Sequence, residues 1–143
     1  MVNELLKGVS NQLYDKFGAD YKYYVEDVKQ GLTKPCFTMD CLIPVQRSRS
    51  RVLYDRTFPI VVHYFTDNKE LTKTDCYAKA EQIVETLEYV PFMGALLRGE
   101  DISWQITDDV LQVFVTYRVI TKKVTSNEDK MEDVAQNNVS VVD

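Results

Sequence analysis

Few residues in this chain could do covalent chemistry. His63 is the only histidine, and the three cysteines are Cys36, Cys41 and Cys76. A histidine beside a cysteine could activate a thiol nucleophile, but no cysteine here lies in a recognisable nucleophile context. His63 sits between Val62 and Tyr64 in a β-prone run, where a lone histidine is more often structural or interfacial than a base. One histidine and three scattered cysteines give no ligand pair at zinc-finger or zinc-ribbon spacing. Asp108-Asp109 and Glu128-Asp129 read as a hairpin turn and a solvated acidic segment rather than cation sites. The five glycines, at 8, 18, 31, 94 and 99, fit neither the Walker nor the dinucleotide spacing. The sequence therefore reads as that of a binding protein without a cofactor.

Its most distinctive charge pattern is Gln46-Arg-Ser-Arg-Ser-Arg51, with Arg47, Arg49 and Arg51 at alternate positions. Guanidinium groups suit two-pronged contact with carboxylates or phosphates. The run lies between two β-prone stretches, Cys36–Ile43 and Thr57–Phe65, within an organising segment from Pro35 to Phe65. This predicts a hairpin with its base in a core and a cationic tip. The rest of the chain is acidic: Lys+Arg 17 against Asp+Glu 22 gives a net charge of −5, which argues against a dedicated nucleic-acid binder. A counterpart for the tip is Glu128, Asp129, Glu132 and Asp133 near the C-terminal end. The arginine run reads either as a solvated loop or as a docking element; on the second reading these four, with Arg47, Arg49, Arg51 and Arg56, are candidate interface residues. A tip-to-tail contact between copies would fix register more than it raises affinity.

The elements that position these residues follow from periodicity. A length of 143 residues and 45% hydrophobic content suit one globular domain, expected over 1–123, with an acidic extension over 124–143. Leu5, Leu6, Val9, Leu13 and Phe17 make an apolar helical stripe over Asn3–Phe17, with Asn3 as N-cap and Gly18 after the end. Tyr21–Val28 reads as a strand. Cys36–Ile43 is expected to return antiparallel to it, with Phe37, Met39 and Cys41 on one face. Pro44 ends or bends that strand, and Pro59 marks a bulge or edge in the next. Both faces of Ile60–Phe65 are rich in apolar groups, as in a strand packed on two sides or at a subunit contact. A second helix, capped by Thr72 or Thr74, runs to about Val90, and Pro91 stops it. Phe92–Leu97 reads as an apolar linker or one helical turn. Ile102–Thr107 and Val110–Lys123 form the clearest hairpin. The expected class is α+β, with a mainly antiparallel sheet in the order α-β-β-β-α-β-β, two helices on one side and an extended C-terminal tail. The first residues do not read as a signal peptide, and no run approaches the ~20 apolar residues of a membrane span. The expected setting is the cytoplasm, with reduced thiols.

Taken whole, the chain resembles the bacteriophage tail terminator, or tail completion, family, in the branch from phages and tail-like particles of Gram-positive hosts. The resembling phrases are Leu5–Tyr14, Tyr21–Glu26, Val28–Phe37, His63-Tyr-Phe65 and Val113–Tyr117, within residues 1–123; the acidic segment lies outside the likeness. The resemblance implies a structural, non-enzymatic α+β protein of the virion tail, at its head-proximal end and assembled in the host cytoplasm. Such proteins form a hexameric ring on the tail tube, stop its polymerisation and face the head-side connector. The implied partners are other copies, the tube protein, a neck protein, sheath protein where the tail is contractile, and DNA in transit. No membrane is implied. The rival readings are another head-tail joining protein, or a small enzyme or nucleic-acid-processing factor using His63 with a cysteine. The resemblance transfers no residue-level motif to the arginine tip.

Overall fold

The computed structural model describes residues 1–25 and 31–123. Its elements are α1 (Val2–Phe17), β1 (Lys22–Tyr24), β2 (Cys36–Cys41), β3 (Val45–Ser48), β4 (Leu53–Phe65), α2 (Thr72–Leu87), β5 (Tyr89–Phe92), β6 (Ala95–Arg98), β7 (Glu100–Thr107) and β8 (Val110–Lys122). The main sheet runs β1-β2-β4-β8-β7, and β3 also pairs with β4; β5 and β6 form a separate hairpin. Two helices and a mainly antiparallel sheet make the expected α+β class.

Alternation explains which face of the sheet is covered. Phe58, Ile60, Val62 and Tyr64 of β4 face inward with Leu111, Val113, Val115, Tyr117 and Val119 of β8. They meet Leu5, Val9 and Leu13 of α1 and Cys76, Ala80, Ile83 and Leu87 of α2 in one core. Both helical stripes are those expected from their three- and four-residue spacing. An aromatic cluster closes one end, where Phe37 lies 5.1 Å from Phe17, 5.2 Å from Tyr64 and 5.5 Å from Tyr23.

Several expectations are corrected. β1 pairs with β2 in parallel, Lys22 opposite Cys36, not antiparallel. The eleven residues between the two strands give the chain length to travel back before pairing, which a tight hairpin would not. The end of the expected first strand, including Glu26 and Val28, lies outside the described residues. Among the described residues four strands, not three, precede α2, because Val45–Ser48 is a strand of its own, and four follow it. Asn3 lies inside α1, whose N-cap is Met1; Thr72 likewise lies inside α2 and donates its hydroxyl to the Asn68 carbonyl oxygen at 2.8 Å. Residues 89–98 are a β-hairpin rather than a helix end and linker. Met93 and Gly94 have φ of 48° and 83°, the pattern of a type I′ turn. Pro91 is tolerated because β5 has a single strand neighbour.

Pro59 causes no register shift between β4 and β8. Its carbonyl accepts from Leu42 N–H at 2.7 Å, on the flank where β2 ends and β3 has not begun. N–H and C=O of one strand residue point to the same side, so the missing donor falls in this gap.

Candidate functional site

The arginine run is carried on an arm that continues the sheet. β3 and the first part of β4 form its hairpin, with Val45 opposite Thr57 and Ser48 opposite Tyr54. Its other flank is β8, with Leu53 opposite Lys122. Thus Arg47 lies in a strand, not in the turn, and only residues 49–52 make the tip. The turn is tied down locally. Ser50 Oγ accepts from the Val52 and Leu53 amides at 3.3 and 3.2 Å, and Arg49 N–H donates to the Leu53 carbonyl at 2.8 Å. Lys123 N–H donates to the Val52 carbonyl at 2.6 Å, fastening the end of β8 to the tip.

On the face turned away from the helices, one carboxylate gathers the cations. Arg118 donates to both oxygens of Asp55, each at 3.0 Å, and Arg49 Nε stands 3.6 Å from it. Arg47 is the register partner of Asp55. The Arg118 hydrogen bonds hold the Asp55 carboxyl below the usual range, helped by the charges of Arg118, Arg49 and Arg47, while burial acts against them. A cavity of about 320 Å³ opens beside this cluster, with Glu100 and Asp101 across from Arg47 and Arg118. Arg51 is exposed at the tip and has no carboxylate within ion-pair distance among the described residues.

Arg56 differs from the other three. It shares the inward face with Phe58, and its Nη1 lies 3.7 Å from Met1 Sδ. Its buried Nε has no hydrogen-bond partner among the described residues, and neither does Thr121 Oγ1. Glu128, Asp129, Glu132 and Asp133 lie outside the described residues. Asp55, Arg118, Glu100 and Asp101 are not among the residues to which the sequence points. Asp55 and Arg118 are far apart in sequence and meet only through the β4–β8 register, which nothing in local spacing reveals.

The arm can grip anions. Arg118 and Arg49 pair with Asp55, Arg47 lies opposite it in register, and Arg51 has no carboxylate within ion-pair distance among the described residues, so positive charge is left over at the tip. The remaining chemistry-bearing residues point elsewhere. His63 lies mid-strand opposite Thr38 and Gln112, with its ring 6.4 Å from that of Phe65. Burial pushes up the thiol pKa of Cys36, Cys41 and Cys76, opposite to the shift that makes a reactive thiolate. Among the described residues, no group of three or more His, Cys, Asp or Glu is placed to hold a metal ion.

The family model described as "Phage tail terminator protein" matches residues 4–129. The chain belongs to the phage tail terminator family. No curated protein matches it. The terminator match includes the whole arm and extends beyond residue 123 into the acidic segment, further than the resemblance drawn from the sequence. This family consists of structural tail proteins rather than enzymes, which makes the chain a virion tail component that associates with other tail proteins. No helix among the described residues of this terminator is long and apolar enough to cross a membrane.

Proposed function

We propose that the chain caps the tail tube as a ring of six copies, stops tube polymerisation and presents the joining surface to the head-side connector. The observation that carries this reading is the terminator-family match over residues 4–129. The arm supports it physically. A closing ring needs two different surfaces on each copy, and a rigid cationic projection is suited to be one of them. In this reading residues 1–123 form the body, and Arg47, Arg49 and Arg51 meet the acidic residues Glu128, Asp129, Glu132 and Asp133 of a neighbour, while Arg56 stays on the inward face. The partners are the tube protein, a neck protein and, in a contractile tail, sheath protein, with DNA only in transit. The protein works at the head-proximal end of the tail and assembles in the host cytoplasm. The assignment to phages of Gram-positive hosts rests on the sequence phrases.

Electron microscopy of the purified protein with isolated tail tubes tests the reading. Six-fold rings at tube ends are expected. Binding to isolated head connectors but not to tubes would move the protein to the neck.

A further inference from the structure

Two open strand edges of opposite charge flank the sheet. One is β7. It bonds to β8 on one flank, and among the described residues its backbone makes no other hydrogen bond. The second is β3, whose strand partner among the described residues is β4. β1 lies against residues 36–38 and does not reach β3. Such an edge is a row of unpaired N–H and C=O groups, ready to pair with another chain. β7 is only partly guarded. A register shift between Glu100 and Ser103, with Asp101 at φ 52°, breaks the start of the strand. Residues 103–107 have no such break, no proline and no charge. Trp104 is 38% exposed there, and Ile43 and Val45 on the other edge are 80% and 39% exposed.

Charge selects the occupant. Between Arg98 and Arg118 stand four carboxylates, Glu100, Asp101, Asp108 and Asp109, with no lysine or arginine. Residues 42–53 carry Arg47, Arg49 and Arg51 and no carboxylate. Two β7 edges, or two β3 edges, would set like charges side by side, whereas β7 against β3 sets opposite ones together. Strand direction agrees. β3 is antiparallel to β4, β4 to β8 and β8 to β7, so β3 and β7 of one copy run in opposite senses. A head-to-tail series that continues the sheet keeps the sense of each strand. The β3 of the next copy then meets β7 antiparallel.

We propose that a second copy of the chain occupies the β7 edge, its β3 pairing antiparallel with residues 103–107 and extending the sheet from copy to copy. This pairing rests on the head-to-tail ring proposed above and gives it a strand contact. Main-chain groups make the bonds. The arginine side chains stand out from the sheet faces and stay available to acidic groups of a neighbour.

Cross-linking between the two edges tests it. Val45, opposite Thr57, and Gln105, opposite Gln112, are both exposed on the face turned away from the helices. Val45→Cys and Gln105→Cys chains are co-expressed and treated with a bismaleimide that reaches the direct and diagonal positions of a strand pair, about 5–8 Å. Cross-linked dimer is expected at about tenfold or more over either variant alone, because a heterologous contact joins two different edges. The unsubstituted chain, with Cys36, Cys41 and Cys76, sets the background. Sedimentation of the same samples separates the outcomes. Assemblies without excess cross-link would overturn the edge pairing and leave the ring. As much dimer from Gln105→Cys alone as from the mixture would overturn it in favour of a two-fold contact. Monomers without cross-link would overturn pairing and ring together. Excess cross-link in open chains rather than closed rings would support the pairing and overturn the ring.

Discussion

Tyr117 donates its hydroxyl to the carbonyl oxygen of Leu87 at 2.6 Å, joining the middle of β8 to the last turn of α2 inside the core. Burial pushes the phenol's ionisation upward, so the group stays a donor at neutral pH. Tyr117→Phe keeps the ring and removes the donor. It should cost about 1–3 kcal/mol, because a buried helix-end carbonyl loses its partner. Urea unfolding should show a lower midpoint with an unchanged slope. An unchanged midpoint would show that water replaces the phenol there.

Gly8 sits mid-helix, where alanine ordinarily gains about 1 kcal/mol. Here a Cβ would stand 2.6 Å from the Pro91 carbonyl oxygen and 3.1 Å from Val90 Cγ1. Displacing packed backbone costs about 1–3 kcal/mol, which outweighs the propensity gain. Gly8→Ala should therefore lower the melting temperature. A rise would mean that the β5–β6 hairpin shifts off α1 at little cost.

Asp75 accepts hydrogen bonds from Tyr64, at 2.7 Å, and from Thr66, and pairs with Lys79 at 3.3 Å. Burial acts to raise its pKa, but the Thr66 and Tyr64 hydrogen bonds and Lys79 outweigh it, and the net shift is downward. A carboxyl whose folded pKa lies below its unfolded value, near 3.9, stabilises the fold above that pH; the contribution is lost as pH falls through the folded pKa. Stability should drop with acid below about pH 4, and Asp75→Asn should flatten that part of the curve while being less stable at pH 7. Chemical denaturation from pH 2 to pH 7 checks both signs. Equal acid slopes in the two proteins would remove Asp75 from the account.

Reversing Arg47, Arg49 and Arg51 to Glu should leave the fold intact, since all three are exposed, but disrupt assembly. Light scattering at matched concentrations reads particle size, and circular dichroism checks the fold. Particles of unchanged size would exclude the arm from contacts between copies.

The sequence's legibility followed burial. α1, α2 and β8 were readable because each buries one face, and a buried face leaves a period of 3.6 or 2 in the residue types. β3 left no such trace, because Val45, Gln46, Arg47 and Ser48 are all exposed. The β5–β6 hairpin is not legible in the sequence because a short apolar run suits a strand or a helical turn equally. Its turn also places Met93, a residue without turn preference, at positive φ. The parallel β1–β2 pairing was unreadable because alternation fixes faces, not direction. Of the candidate site, the cationic run was plain in sequence, but its anchor, Asp55 held by Arg118, depends on distant strands.

β4 runs unbroken from the arm into the core, and all thirteen of its residues have register partners on β8, from Leu53↔Lys122 to Phe65↔Val110. The hydrogen bonds of an antiparallel ladder lie across the strand axis. A pull on the tip along that axis therefore loads the ladder in shear, with its bonds strained together, rather than peeling them one after another. The arm has no compliant joint within β4. A neighbour that tugs on the tip pulls directly on the central strand of the sheet.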